Sequence, residues 1–182
     1  MQPNEIHFRY FMFGAPVILV TWLVHELGHW LTSELLGYET AMSLNRTYLL
    51  QGSYEQIWHS LLVSSAGPLV TLSQGAVAFS LLRKKGWSST AYLLLFTAFY
   101  MRLMASLINV INLNDEGRIS SQLGLGTFTL PVLVTGCLLV LVYVISRQYR
   151  LRLGFQGYTV FTVMFWSSVL ILSDQALPLR LL

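Results

Sequence analysis

The sequence predicts an all-α polytopic membrane protein, and its composition and long apolar stretches are the basis of that prediction. Apolar residues make up 54% of the 182 residues and charged residues only 10%, whereas about 25% of an average soluble domain is charged. A membrane-spanning helix needs about 20 largely apolar residues, and five stretches of this kind occur along the chain. Charge this sparse excludes a soluble domain, a disordered chain, a coiled coil and a module that binds nucleic acid.

The five predicted spans cover most of the chain. They are residues 11–36, 57–82, 91–113, 127–146 and 158–173, of which the last is short. We therefore expect residues 1–182 to form a single integral membrane domain in the lipid bilayer. The first three spans, with their connections, make up about residues 11–118, and additional helices follow at about residues 127–173.

The connection between the first two spans predicts a short membrane-associated β-hairpin. Residues 41–50 mix apolar and polar positions with residue types that strands tolerate, and Gly52-Ser53 is typical of a turn. Because the alternation is imperfect, an irregular loop at the level of the lipid headgroups is an equal alternative.

Lysine and arginine in the short loops indicate the orientation of the chain in the membrane. If the N-terminus shares a side with the second and fourth loops, that side carries seven of these cations and the other side carries three. The seven are Arg9, Arg83, Lys84, Lys85, Arg147, Arg150 and Arg152, and the three are Arg46, Arg118 and Arg180. The count favours a multi-pass protein with a cytoplasmic N-terminus.

The first span contains the sequence His25-Glu26-Leu27-Gly28-His29. On a helix, residues four apart lie one above the other, so both imidazoles face the same way and can share one zinc ion. Glu26 then lies beside the open coordination position, where a carboxylate can accept a proton from a water molecule that attacks a carbonyl. Three ionisable groups at membrane depth are costly unless paired, which favours a functional site over a metal-free hydrogen-bonded cluster.

A catalytic zinc ion normally takes a third protein ligand. Asp115 at the end of the third span is the best candidate, because it emerges on the same side as the end of the first span. Glu116 is its nearest competitor, and an ion pair with Arg118 at a helix end is the alternative role for Asp115. We expect His59 to be an interfacial histidine and Glu34 to face away from the two histidines.

Three motifs together resemble the site-two protease family of intramembrane zinc metalloproteases. They are the segment from His25 to His29 with Trp30-Leu31 and Leu35-Leu36-Gly37 after it, then Ser65-Ala66-Gly67-Pro68-Leu69, then Asp115-Glu116-Gly117-Arg118. They look like the first core helix, the Ala-Gly-Pro motif and the Asp-Gly motif of that family, and they occur in the family order within residues 20–118.

The resemblance implies a three-helix catalytic core and one zinc ion per chain, held by His25, His29 and Asp115. It implies that Glu26 is catalytic and that the substrates are transmembrane proteins, cut within or near their membrane-spanning segments. Four further residues are expected to bind substrate or to shape the site, namely Gly67, Pro68, Thr71 and Asn112. Because proline removes a backbone hydrogen bond, a helix kink at Pro68 would open a polar cavity beside the zinc.

The chain departs from the family pattern in three places. Thr71 stands where the family usually has asparagine, and Glu116 separates Asp115 from Gly117. The Asn-x-x-Pro motif that the family has ahead of the aspartate is also altered, since residues 109–114 contain three asparagines but no proline. No PDZ-like or CBS-like domain is recognisable, so substrate selection is expected to come from the membrane region or from a regulatory membrane partner.

Two other functions remain open from the sequence. A metal-binding membrane transport protein would use the two histidines without hydrolysis, and an inactive relative of the proteases would hold substrates as a scaffold. Glu26 separates these alternatives from a protease, because transport or structural zinc tolerates an amide there and hydrolysis does not. Arg102, inside the third span, either pairs with a carboxylate near the site or extends towards an interface.

Overall fold

The computed structural model describes residues 2–177 and 180–182. These residues form six helices and two strands, namely α1 (Phe8–Leu35), β1 (Thr40–Met42), β2 (Thr47–Leu49), α2 (Ile57–Lys84), α3 (Ser89–Ile108), α4 (Asp115–Gln122), α5 (Thr129–Gln148) and α6 (Leu153–Ala176). Every helix except α4 is long and apolar enough to cross a bilayer. The predicted all-α polytopic membrane fold with five spans is therefore confirmed.

The third span ends earlier than the sequence predicted. Helix α3 stops at Ile108 rather than near residue 113, and a turn leads into the short helix α4, which the sequence analysis missed. Buried Asn109 holds this turn, since its side chain accepts from the Asn114 amide at 3.1 Å and donates to the Thr127 carbonyl at 2.8 Å. A Cβ atom at Gly117 would collide with the Asn109 side chain, so glycine allows the close approach.

The last span is longer than predicted. Helix α6 covers 24 residues, Leu153–Ala176, instead of residues 158–173, so it reaches across a bilayer without help from flanking residues.

Helices α1, α2 and α3 pack against one another, with α5 against α3, α6 against α1, and α4 against α2 and α5. Buried aromatic side chains hold one end of the bundle, where Tyr10, Tyr92 and Phe155 meet. The Tyr10 hydroxyl shares a hydrogen bond of 2.9 Å with Thr159 Oγ1. Many large apolar side chains, such as Val132 and Leu172, point outwards, as expected for helices that face lipid.

The connections that carry most of the cations lie at the same end of the bundle. Arg83 Nη1 donates to Gln148 Oε1 at 2.7 Å, and the Asn4 side chain bonds to the backbone of Arg150 and Arg152. The N-terminus, the α2–α3 connection and the α5–α6 connection are thus grouped as the charge count assumed. The cytoplasmic location of this end stays a prediction.

At the opposite end, the connection between α1 and α2 forms an antiparallel hairpin in which Ala41 pairs with Tyr48. The hairpin is therefore present, and the irregular loop is not. Glu34 Oε1 accepts from the Thr40 amide at 2.8 Å, and Asp174 of α6 accepts from the Leu44 amide at 2.9 Å. These two carboxylates fix the hairpin to α1 and to α6.

Candidate metal centre

Two imidazoles and one carboxylate converge between α1 and α4. His25 and His29 lie one turn apart on α1, both buried, with their Nε2 atoms 3.2 Å from each other. Asp115 Oδ2 lies 3.5 Å from His25 Nε2 and 3.3 Å from His29 Nε2. The ligand atoms of the three residues all fall within 4.8 Å of one another, so together they can hold a metal ion.

The outer nitrogen of each ring is held by α2. His29 Nδ1 lies 2.6 Å from the Val63 carbonyl oxygen, which can only accept, so Nδ1 carries the hydrogen and Nε2 of the neutral ring keeps its lone pair. His25 Nδ1 lies 2.9 Å from Thr71 Oγ1, which donates to the Gly67 carbonyl at 3.2 Å. Thr71 therefore accepts from His25. The Nε2 atoms of His25 and His29 each keep a lone pair, and these two lone pairs face each other. A cation between them satisfies both, so the donor set fits a metal.

The third member of the group, Asp115, is the first residue of α4. The Asn114 side chain caps this helix by accepting from the Gly117 amide at 2.6 Å, and the helix N-terminus favours a negative charge on Asp115. Asp115 Oδ1 accepts from Arg118 Nη2 at 2.7 Å, which leaves Oδ2 directed at the imidazoles. The predicted ion pair with Arg118 and the predicted role as a ligand are thus compatible, because they use different oxygens.

Helix α2 also lies close to the two histidines at Gly67. A Cβ atom at this position would collide with His29 Nε2 and would lie 2.5 Å from His25 Cε1, so only glycine fits. Pro68 follows within α2, which continues as one helix through it. Thr71 is fully buried behind His25. Gly67 and Thr71 therefore shape the site from behind the histidines.

Glu26 lines the same cavity as the three candidate ligands. The cavity has a volume of about 840 Å³ and is lined by residues of α1, α2, α3, α4 and α6, of the turn before α4 and of β2. Glu26 is only 6% exposed, and its Oε2 atom accepts from Thr47 Oγ1 of β2 at 2.9 Å. Asn112, which the sequence predicted as a site residue, lies exposed in the turn and also lines the cavity.

Arg102 pairs with a carboxylate near the site, one of the two roles that the sequence left open. Its Nη1 atom lies 2.9 Å from Glu116 Oε1 and 3.8 Å from Asp115 Oδ2, and its Nη2 atom lies 3.4 Å from His25 Nε2. Glu116 is buried and paired with this guanidinium, and it is not part of the metal-binding group. The paired charge also limits the repulsion between Arg102 and a bound cation.

His59 does not belong to the site. The imidazole of His59 contacts the Tyr38 hydroxyl at 2.6 Å and is outside the metal-binding group. Three groups that position the site were not predicted: Thr47, Asn114 and the Val63 carbonyl. The sequence carried a signal only for Asn114, since asparagine followed by Asp115 and Glu116 is typical of a helix start.

No protein-family model, curated protein or solved structure matches this chain.

Proposed function

We propose that this protein is an intramembrane zinc metalloprotease that hydrolyses peptide bonds within or near transmembrane segments of membrane proteins. One observation carries the proposal: His25, His29 and Asp115 converge on one point, and Glu26 lines the same cavity among membrane-spanning helices. A metal transport protein would use the ligands but needs no further carboxylate beside them, and an inactive scaffold needs neither.

The ligand set favours zinc. Two imidazole nitrogens and one carboxylate oxygen are a typical set for catalytic zinc, which keeps the fourth position open for water or substrate. Zinc bound by His25, His29 and Asp115, one ion per chain, would supply Lewis-acid activation of a water molecule and of the scissile carbonyl.

Glu26 is the proposed general base. Its carboxylate accepts a proton from the attacking water as the new C–O bond forms, and it delivers that proton to the leaving amide nitrogen as the C–N bond breaks. Thr47 holds one carboxylate oxygen by the hydrogen bond from its hydroxyl, so the other oxygen is available for this transfer.

The hairpin is the proposed substrate-binding element. A transmembrane helix hides its peptide bonds in its own hydrogen bonds, so the substrate has to be extended before cleavage, and strand addition achieves this. Strand β2 lines the cavity, whereas the outer edge of β1 is bonded through Met42 to the backbone of Leu181 and Leu182. We therefore assign the substrate strand to the side of β2.

The proposal is tested with purified protein in proteoliposomes that contain a single-span reporter. The wild type is expected to cleave the reporter, to lose activity with a chelator and to regain it with added zinc. Glu26→Gln is expected to bind zinc fully and to lose cleavage by at least about a hundredfold, the range typical of general-base catalysis. Glu55→Gln is the matched control, since Glu55 is exposed and outside the cavity lining. Near wild-type cleavage by Glu26→Gln contradicts the mechanism.

A further inference from the structure

A second cleft lies at the opposite end of the bundle, where the chain turns from α5 into α6. It has a volume of about 800 Å³. Its polar lining is formed by Ser146, Arg147, Arg150, Arg152 and Gln156, and its apolar lining by Leu139, Val142, Tyr143, Leu151 and Leu153. The cleft contains none of the proposed catalytic residues.

Three arginines give this cleft a strong positive charge. Arg147, Arg150 and Arg152 are exposed, and none of the described residues that line the cleft is a carboxylate. Within residues 2–177 and 180–182, none of the three forms an ion pair. A cleft with three uncompensated guanidinium groups is complementary to an anion, and phosphate oxygens match the fork of donors on each arginine.

The turn between α5 and α6, which carries Arg150 and Arg152, is held in an unusual conformation. Arg150 has a φ of 49°, in the left-handed region that residues other than glycine seldom adopt. Asn4 holds it there, since its side chain donates to the Arg150 carbonyl at 3.2 Å and accepts from the Arg152 amide at 2.6 Å. Arg150 and Arg152 therefore sit on a fixed turn rather than on a loose loop, and Arg147 lies just before them in the last turn of α5.

The apolar side of the cleft extends along α5 towards the middle of the bilayer. Leu139 lies eight residues before Arg147 on the same helix, which corresponds to about 12 Å of helix rise. Leu139 and Tyr143 are 50% and 60% exposed, so this face of α5 is open to lipid chains. A free anion in water would make no use of such a surface.

We infer that this cleft binds one anionic phospholipid, with its phosphate at the three arginines and an acyl chain along Leu139 and Tyr143. Basic pockets between membrane helices at the interface are typical sites for anionic headgroups. The charges of the cleft select the headgroup, and the apolar wall distinguishes a lipid from free phosphate. The inference does not depend on the proposed protease activity.

Native mass spectrometry of the detergent-solubilised full chain tests the inference. The wild type is expected to retain one molecule of dioleoylphosphatidylglycerol at least about tenfold more tightly than dioleoylphosphatidylcholine. The triple variant Arg147→Gln, Arg150→Gln and Arg152→Gln is expected to lose this preference. A matched control removes three cations from the same end of the bundle, as Arg9→Gln, Lys84→Gln and Lys85→Gln, and is expected to keep it.

Three results would contradict the assignment of a phospholipid site to this cleft. One is equal weakening in the control variant, which indicates unspecific charge attraction. The second is an unchanged preference in the triple variant. The third is displacement of the lipid by inorganic phosphate or glycerophosphoglycerol at a concentration equal to that of the lipid, which indicates a site for the free anion. If the triple variant does not fold, Arg147→Gln carries the test, because Arg147 lies within α5, and a loss of about fivefold is expected for one arginine.

Discussion

His29 Nδ1 lies 2.6 Å from the carbonyl oxygen of Val63, so a backbone group of α2 orients a candidate metal ligand of α1. Proline at position 68 and glycine at position 67 lie one turn further along the same helix. The metal-binding geometry therefore depends on how closely α1 and α2 pack, and not only on the residues that carry ligand atoms.

The two histidines of α1 are expected to be essential for metal binding. His25→Ala or His29→Ala should lower zinc affinity by more than about a hundredfold, because even groups that merely support a ligand contribute 10- to 100-fold. His59→Ala is the matched control, since His59 lies outside the metal-binding group. Zinc content of the purified variants is the measurement. Full retention of zinc in the double variant His25→Ala and His29→Ala would remove the basis for the site.

Gly67→Ala is expected to prevent metal binding although it replaces none of the candidate ligands. The added methyl group would occupy the space of His29 Nε2, so either the imidazoles or α2 must move. Gly136→Ala serves as the control, because a Cβ atom there meets no atom of the described part of the chain within 4 Å. Zinc titration should show a loss of zinc affinity for Gly67→Ala and not for Gly136→Ala. Equal affinity in both variants would show that α2 does not constrain the histidines as closely as the geometry requires.

Asp115 and Glu116 are adjacent carboxylates with different expected effects. Asp115→Asn replaces a ligand oxygen by a neutral amide and should weaken zinc binding by about a hundredfold or more. Glu116→Gln should weaken it less, within the 10- to 100-fold range or below, since it acts only through the charge of Arg102. A zinc titration that ranks the two variants in the reverse order would transfer the role of ligand to Glu116.

Cysteine labelling decides which side of the membrane the site faces. Single cysteines at Ser53 and at Lys84, both exposed, would be placed in a Cys137→Ala background, because Cys137 is itself exposed. The charge count predicts that an impermeant reagent outside the cell labels position 53 and not position 84, which puts the metal site in the extracytoplasmic half of the bilayer. Labelling of position 84 alone would overturn the charge count.

The spans were predictable from sequence because apolar length is the constraint that the bilayer imposes. Helix α4 was missed because its eight residues are too few for a periodic pattern, although Asn114 is a good helix cap. The end of α3 was misplaced for a related reason: Ile108, Val110 and Ile111 continue the apolar pattern through the turn, and the Asn109 side chain rather than hydropathy ends the helix.

The ligands of the candidate site were predictable because His25 and His29 have helical spacing and because span counting brings Asp115 to the same face. The contacts that orient these ligands were not predictable from the sequence. Thr47 reaches Glu26 only through the fold of the hairpin, and Val63 acts through its carbonyl, which any residue would supply. The choice between Asp115 and Glu116 depends on the direction of α4, which spacing in the sequence does not fix.

Hydrolysis in ¹⁸O-labelled water tests the proposed activity most directly. Proteoliposomes with zinc-loaded protein and a transmembrane reporter would be incubated in the labelled water, and the amino-terminal fragment would be weighed by mass spectrometry. We predict that wild-type protein places one ¹⁸O atom in the new carboxyl terminus within the membrane-spanning segment, and that zinc-loaded Glu26→Gln yields no fragment. Intact reporter with the zinc-loaded wild type, or equal labelled fragment from both proteins, would contradict a zinc protease that uses Glu26 as its base.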